Sequence, residues 1–249
     1  MMLALDVRND RILAGFRTGD AWKTVIRLGV DRSADELSFL LESCVRRIGL
    51  AEGDMDAAWI SSVVPALTPR VMQAVSSTFG LAASVVGPGI RTGIKIRIDS
   101  PSELGSDIVC AAVAARSLVQ GASIVVDFGT AIVLSAMNSG GELLGVSIAP
   151  GLQTAAHALR ASTAQIPEVR LDIPRRVIGR NTAQSVQSGI YLGYGGLVRH
   201  LAELMSDEMG EAATVLGTGD EEGHAIMQSV GYDAFHPFLV LDGLALIGG

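Results

Sequence analysis

The chain has 249 residues, 49% of them apolar, and a formal net charge of −7, a length that suits one large domain or two lobes of about 100–150 residues each. The acidic balance argues against a sequence-independent nucleic-acid surface, which neutralises phosphates with clustered Lys and Arg. Mean hydropathy is positive, yet no window approaches the ~18 uninterrupted apolar residues of a spanning helix, so a soluble protein with neither a nucleic-acid nor a membrane partner is expected.

The N-terminus reaches Asp6 without a basic start or a long apolar stretch, so no export signal is visible. Cys44 and Cys110 stand apart from each other and from any Cys/His cluster, which argues against a disulfide framework and a structural zinc site. A cytoplasmic location is the expectation. Arg175, Arg176 and Arg180 form the nearest thing to a basic cluster and read as a solvated loop beside a helix.

In chain order, Met2 to Asp6 reads as a strand, Arg8-Asn9-Asp10 as a tight polar turn, and Arg11 to Arg17 as a second strand, together a β-hairpin. From Ser33 the apolar spacing changes to three and four through Leu37, Leu40, Leu41, Cys44, Val45 and Ile48, an amphipathic helix with Ser33 and Glu36 as a capping box. A strand is predicted at Ala57 to Val63, a helix at Thr68 to Phe79 and a strand at Ala83 to Val86. Ser123 to Asp127 then begins the pattern again. Phe128-Gly129-Thr130 forms its turn and Ala131 to Met137 its second strand.

Asp6 and Asp127 therefore hold equivalent places in two hairpins about half a chain apart. The repeated element order predicts a duplicated α/β fold of two lobes, residues 1–117 and 118–249. Each lobe would be a mixed sheet flanked by helices, the arrangement of actin-like (ribonuclease H-like) phosphotransferases. A late helix is predicted from Ala183 to Met205, burying Ile190, Leu192, Leu197, Val198, Leu201 and Leu204 in the core or in an interface.

The stretch GPGIRTGIKIRIDSPSELGSD, Gly87 to Asp107, resembles the central motif of the type III pantothenate kinases. Matches continue in SSVVPALTP (61–69), VVDFGTA (125–131), IAPGL (148–152), IGRNT (178–182), QSGI (187–190) and GYGGLV (193–198), in family order and over nearly the whole chain. The resemblance implies ATP-dependent phosphorylation of pantothenate, with magnesium and a monovalent cation, potassium or ammonium, as cofactors. It also implies a homodimer whose pocket is completed by the second subunit.

By the same resemblance, Asp107 is the general base for the substrate hydroxyl; taken alone, an aspartate at a helix start is first a cap. Asp6, Asn9 and Asp10 fall on the first phosphate turn and Gly129 and Thr130 on the second, where glycine lets backbone N–H groups approach a phosphate and threonine adds a hydroxyl. Asp6 matches the family's magnesium-proximal carboxylate and Asp127 the one near the monovalent cation; on the sequence alone both also read as strand ends. Gly105, Ser106 and Thr182 match substrate-binding positions, Thr182 reaching across the dimer. Thr182 reads equally as the N-cap of the helix beginning at Ala183.

Six positions depart from the family pattern. Arg8 stands for a glycine and Asp10 for a threonine in the first phosphate turn, and Ile108 for the arginine after the base. Ile98 replaces a tyrosine, Ile132 a threonine, and Asp220 a glycine of the late TGG motif. A carboxylate ~4 Å from a phosphate charge costs about 4 kcal/mol at an effective dielectric near 20, so Asp10 requires Arg8 or a metal to offset it. These departures leave two further readings open: a weakened or inactive paralogue acting as a dimeric binding or regulatory protein, and a kinase for another small hydroxy acid.

Overall fold

A computed structural model describes residues 1–232 and 234–249. It divides into two compact units, one of residues 1–93, 100–114 and 240–249, the other of 94–99 and 115–239. The main crossing, between Ala114 and Ala115, lies three residues before the division expected after residue 117.

The first unit contains β1 (Met2–Val7), β2 (Arg11–Thr18), β3 (Ala21–Gly29), α1 (Ala34–Arg47), β4 (Ala57–Ser62), α2 (Thr68–Phe79) and β5 (Ser84–Val85). Its sheet runs β3-β2-β1-β4-β5, with β1 antiparallel to β2 and parallel to β4. As the middle strand, β1 is buried without interruption from Leu3 to Val7, the pattern of a strand covered on both faces. Phe16, Leu37, Leu41, Ile60 and Val71 pack with it in one core. The capping box is present: Glu36 N–H donates to Ser33 Oγ at 3.2 Å and Ser33 N–H to Glu36 Oε2 at 2.8 Å.

The second unit begins with the short β6 (Lys95–Ile96), while α3 (Ser106–Leu118) carries the crossing between the units. It continues through β7 (Ser123–Phe128), β8 (Ala131–Met137), β9 (Glu142–Pro150), α4 (Leu152–Ala161), α5 (Thr182–Met209), β10 (Thr214–Gly219) and α6 (Glu221–Ser229). The sheet order is β10-β7-β8-β9-β6. Here β7, an interior strand next to the edge strand β10, is antiparallel to the following strand β8 and parallel to the later β10, as β1 is to β2 and β4.

The expected duplication is present and extends to register. Asp6 pairs across with Leu13 and Ser61, and Asp127 with Val133 and Thr218, so each aspartate sits one residue from the end of an interior strand. Each copy also has a third strand, β3 or β9, that periodicity did not pick out.

The last helix, α7 (Leu239–Gly248), lies almost wholly within the first unit. There Trp22 Nε1 donates to Asp242 Oδ1 at 2.7 Å, and Gly243 lies directly on the backbone of Cys110, where an added β-carbon would overlap the Cys110 carbonyl. Among the described residues no helix is long and apolar enough to cross a membrane.

Candidate functional site

The first unit assembles a polar cluster at the carboxyl ends of β1 and β4. Ser106 opens α3 and joins it to β4: its hydroxyl lies 2.9 Å from Ser61 Oγ and accepts from Ser62 N–H at 2.9 Å. Register places Ser61 directly beside Asp6. Gly105 lies close against Asp107: a β-carbon there would overlap Asp107 Oδ1, which would have to shift, and press on Val63. Asp107 Oδ1 accepts from the Ile108 N–H at 2.8 Å, which holds the carboxylate at the positive end of α3.

Cys110, one turn along α3, reports on both carboxylates. Its thiol is pushed far up, first by burial, then by the negative charges of Asp6 and Asp107, against an opposing hydrogen bond with Ser61. Asp6, Ser61, Ser106, Asp107 and Cys110 thus form one electrostatic neighbourhood. Gly105, Ser106 and Asp107 belong to one sequence motif and Asp6 to another, and the fold brings the two motifs together.

The turn of the first hairpin closes with Arg8 N–H donating to the Arg11 carbonyl at 2.9 Å. Asn9 and Asp10 are exposed at its tip, and Arg11 approaches Asp10 Oδ2 at 3.3 Å. Asp6 is 1% exposed and Arg8 9%, and Arg8 Nε donates to Asp6 Oδ2 at 2.6 Å. The cation expected to offset Asp10 is therefore bound to Asp6, and Arg11, which the sequence did not suggest, lies beside Asp10.

In the second unit, the Phe128–Thr130 turn is gripped from both sides. Gly151 N–H and Thr154 Oγ1 donate to the Thr130 carbonyl at 2.9 and 2.7 Å, and Asp220 N–H donates to the Phe128 carbonyl at 2.9 Å. Neither Gly151 nor Gly219 has room for a β-carbon, which would overlap the Gly129 and Phe128 carbonyls respectively. Gly219 also has φ of +100°, a region that L side chains rarely adopt. Asp127 is half-buried at the end of β7 beside Thr218.

Three sequence expectations change here. Ile132 is fully buried in the core of the second unit, so this departure fills a core and removes no polar group from a site. Asp220 stands at the N-cap position of α6 with φ of −73°, a conformation open to any residue, and its side chain makes no capping hydrogen bond there. Thr182 is not the cap of α5: Asn181 is, its side chain accepting from Gln184 N–H at 2.9 Å, while Thr182 is exposed in the first turn. On α5 itself Ile190 and Val198 are buried and Leu197 and Leu201 pack against the core, but Leu192 and Leu204 face outward.

The second unit also holds a cavity of about 890 Å3, absent from the sequence expectations, lined by α4, residues 168–173, α5 and the start of α6. It adjoins the second turn on two sides, since Gln153 flanks Thr154, which bonds Thr130, and Glu221 follows Asp220, which bonds Phe128. Arg160, His157 and Glu222 contribute polar groups. Tyr191 lines the cavity; its hydroxyl is buried without a hydrogen-bond partner, and burial, then the charge of Glu222, raises its pKa.

A sequence model of the type III pantothenate kinase family matches residues 2–204. A type III pantothenate kinase of Dehalococcoides mccartyi is 37% identical over 251 aligned positions, covering 99% of this chain and 96% of that protein. Among solved structures, a conserved putative Baf family transcriptional activator from Campylobacter jejuni superposes with a TM-score of 0.63 at 15% identity, covering 98% of this chain and 96% of the other. The activator of 2-hydroxyisocaproyl-CoA dehydratase from Clostridium difficile, solved with bound ADPNP, superposes with a TM-score of 0.53 at 11% identity over 98% and 92% of the two chains. These structural likenesses establish the fold.

Proposed function

The chain belongs to the type III pantothenate kinase family, and we propose that it transfers the γ-phosphoryl group of ATP to the hydroxyl of pantothenate, giving 4′-phosphopantothenate for coenzyme A biosynthesis. The observation that carries this reading is the placement of Asp107 at the start of α3, fixed by Gly105 and Ser106 within the Asp6 cluster. A loose phosphoryl-transfer transition state leaves the protein mainly to position the phosphate, neutralise its charge and orient the attacking hydroxyl. Asp107 accepts the proton of that hydroxyl as the oxygen attacks. The turns at Asn9–Asp10 and Gly129–Thr130 receive phosphate groups.

The cavity beside Gly129–Thr130 takes the nucleoside. Its volume falls within the range of small-molecule sites, and the unpartnered Tyr191 hydroxyl supplies a group whose hydrogen bond a ligand would complete. Asp127, half-buried and placed like Asp6, offers the hard oxygen that a potassium or ammonium ion requires. Magnesium bound with the nucleotide would supply neutralisation of the charge that develops on the γ-phosphoryl group during transfer.

The active form is a homodimer in this reading, with Thr182 of one copy closing the substrate pocket of the other. Support comes from the outward-facing Leu192 and Leu204 on α5 and from the exposed Ile173, Val177 and Ile178 before it, an apolar surface of the kind that a partner covers. A monomer mass by light scattering at micromolar concentration would contradict it.

A coupled assay of ADP release, with magnesium and potassium present, tests the activity by offering pantothenate beside a panel of small hydroxy acids. Turnover with pantothenate above the panel supports the reading; turnover with another acid alone would redirect it to that substrate.

A further inference from the structure

We propose that Arg8 is the resident cation of Asp6, standing where the family resemblance implies a magnesium-proximal carboxylate, so that this chain holds no divalent ion on Asp6. The inference rests on the nucleotide reading of the first turn and concerns how that turn handles charge.

A carboxylate suited to a hard cation presents its oxygens toward a space that the ion and its waters can fill, because magnesium dehydrates reluctantly and keeps several waters. Asp6 does not fit that description. It is 1% exposed, and Arg8 Nε donates to Oδ2 at 2.6 Å, the short distance of a charge-assisted bond. An ion at Asp6 would have to displace a guanidinium that is itself 9% exposed, and separating two buried, hydrogen-bonded charges is costly.

The backbone favours the same conclusion. No non-glycine residue in the described chain has positive φ, so position 8 needs no glycine for conformational reasons, and the exchange to arginine changes charge and bulk while the turn stays unstrained. Arginine also keeps its charge at any working pH, which makes it a permanent counterpart to Asp6. Nucleotide phosphates approaching this turn meet an aspartate already neutralised by the chain itself.

The test uses Mn2+ alone as probe, followed by electron paramagnetic resonance on nucleotide-free protein, with Arg8→Gly and Arg8→Gln as independent replacements. Each replacement is expected to bind Mn2+ at least tenfold more tightly than wild type, and adding Asp6→Asn should abolish the gain. Wild type binding Mn2+ as tightly as the replacements, a gain that survives Asp6→Asn, or no gain in either replacement would overturn the proposal. ADP titrated with and without Mg2+ provides the second arm: removal of Mg2+ should weaken its binding to wild type less than threefold and to Arg8→Gln tenfold or more. A tenfold loss in wild type would overturn the proposal. Absence of ADP binding in every protein would instead overturn the nucleotide reading, with the Mn2+ comparison still deciding the role of Arg8.

Discussion

Gly105 and Asp107 are packed so closely that a β-carbon on the glycine would overlap the Oδ1 atom of the aspartate. The same oxygen accepts the Ile108 N–H, so the carboxylate proposed as base is contacted by the residues on either side. Gly105→Ala should therefore lower kcat by at least tenfold while the protein remains folded, because displacement of a reacting group by about 1 Å costs on the order of a hundredfold. Unchanged kcat in a folded Gly105→Ala protein would show that Asp107 is not the base.

Ile108 stands in the first turn of α3 beside that carboxylate, at the position where the family resemblance expects an arginine. An apolar side chain gives a carboxylate substrate no hydrogen bond, and a charge-assisted one contributes about 1.5–3 kcal/mol. Ile108→Arg should lower KM for pantothenate by roughly tenfold or more. Steady-state kinetics with unchanged KM would place the substrate carboxylate elsewhere.

Tyr191 carries a buried hydroxyl without a partner, and such a group costs about 1–3 kcal/mol. Tyr191→Phe should stabilise the ligand-free protein by about 1 kcal/mol, read as a rise in Tm of about 2–4 °C, and weaken ADP binding by about three- to tenfold. A variant that binds ADP as well as wild type would remove the cavity from the nucleotide site.

The Cys110 thiol is raised by burial and by Asp6 and Asp107, so the folded chain keeps its proton at pH values where the unfolded chain, with a thiol pKa near 8.5, releases it. The stability linked to this group is complete below about pH 8.5 and declines as pH rises above it, by up to about 1.4 kcal/mol per pH unit. Urea unfolding at pH 8 and pH 10 should show a steeper loss for wild type than for Cys110→Ala; equal losses would contradict the buried, protonated thiol.

Much of the fold was readable before any coordinates because its signals are local. The Ser33–Glu36 capping box, the 3.6-residue spacing of α1 and the two hairpins each depend on neighbours within a few residues. The third strand β3 escaped notice because only Leu28 along it is buried, leaving little apolar alternation. The return of α7 to the first unit depends on Gly243 meeting Cys110 and on Asp242 meeting Trp22, contacts between residues far apart in sequence. At the site, motif matching singled out Asp6 and Asp107, whereas the Arg8–Asp6 bond and the core position of Ile132 depend on side-chain direction.

The central claim is that this chain phosphorylates pantothenate with Asp107 as base. The most direct measurement incubates wild type and Asp107→Asn with ATP, magnesium, potassium and pantothenate and quantifies 4′-phosphopantothenate by mass spectrometry. The account predicts product from wild type and a loss of at least a hundredfold in the variant, whose amide cannot accept the proton. No product from wild type, or equal product from both proteins, would contradict it.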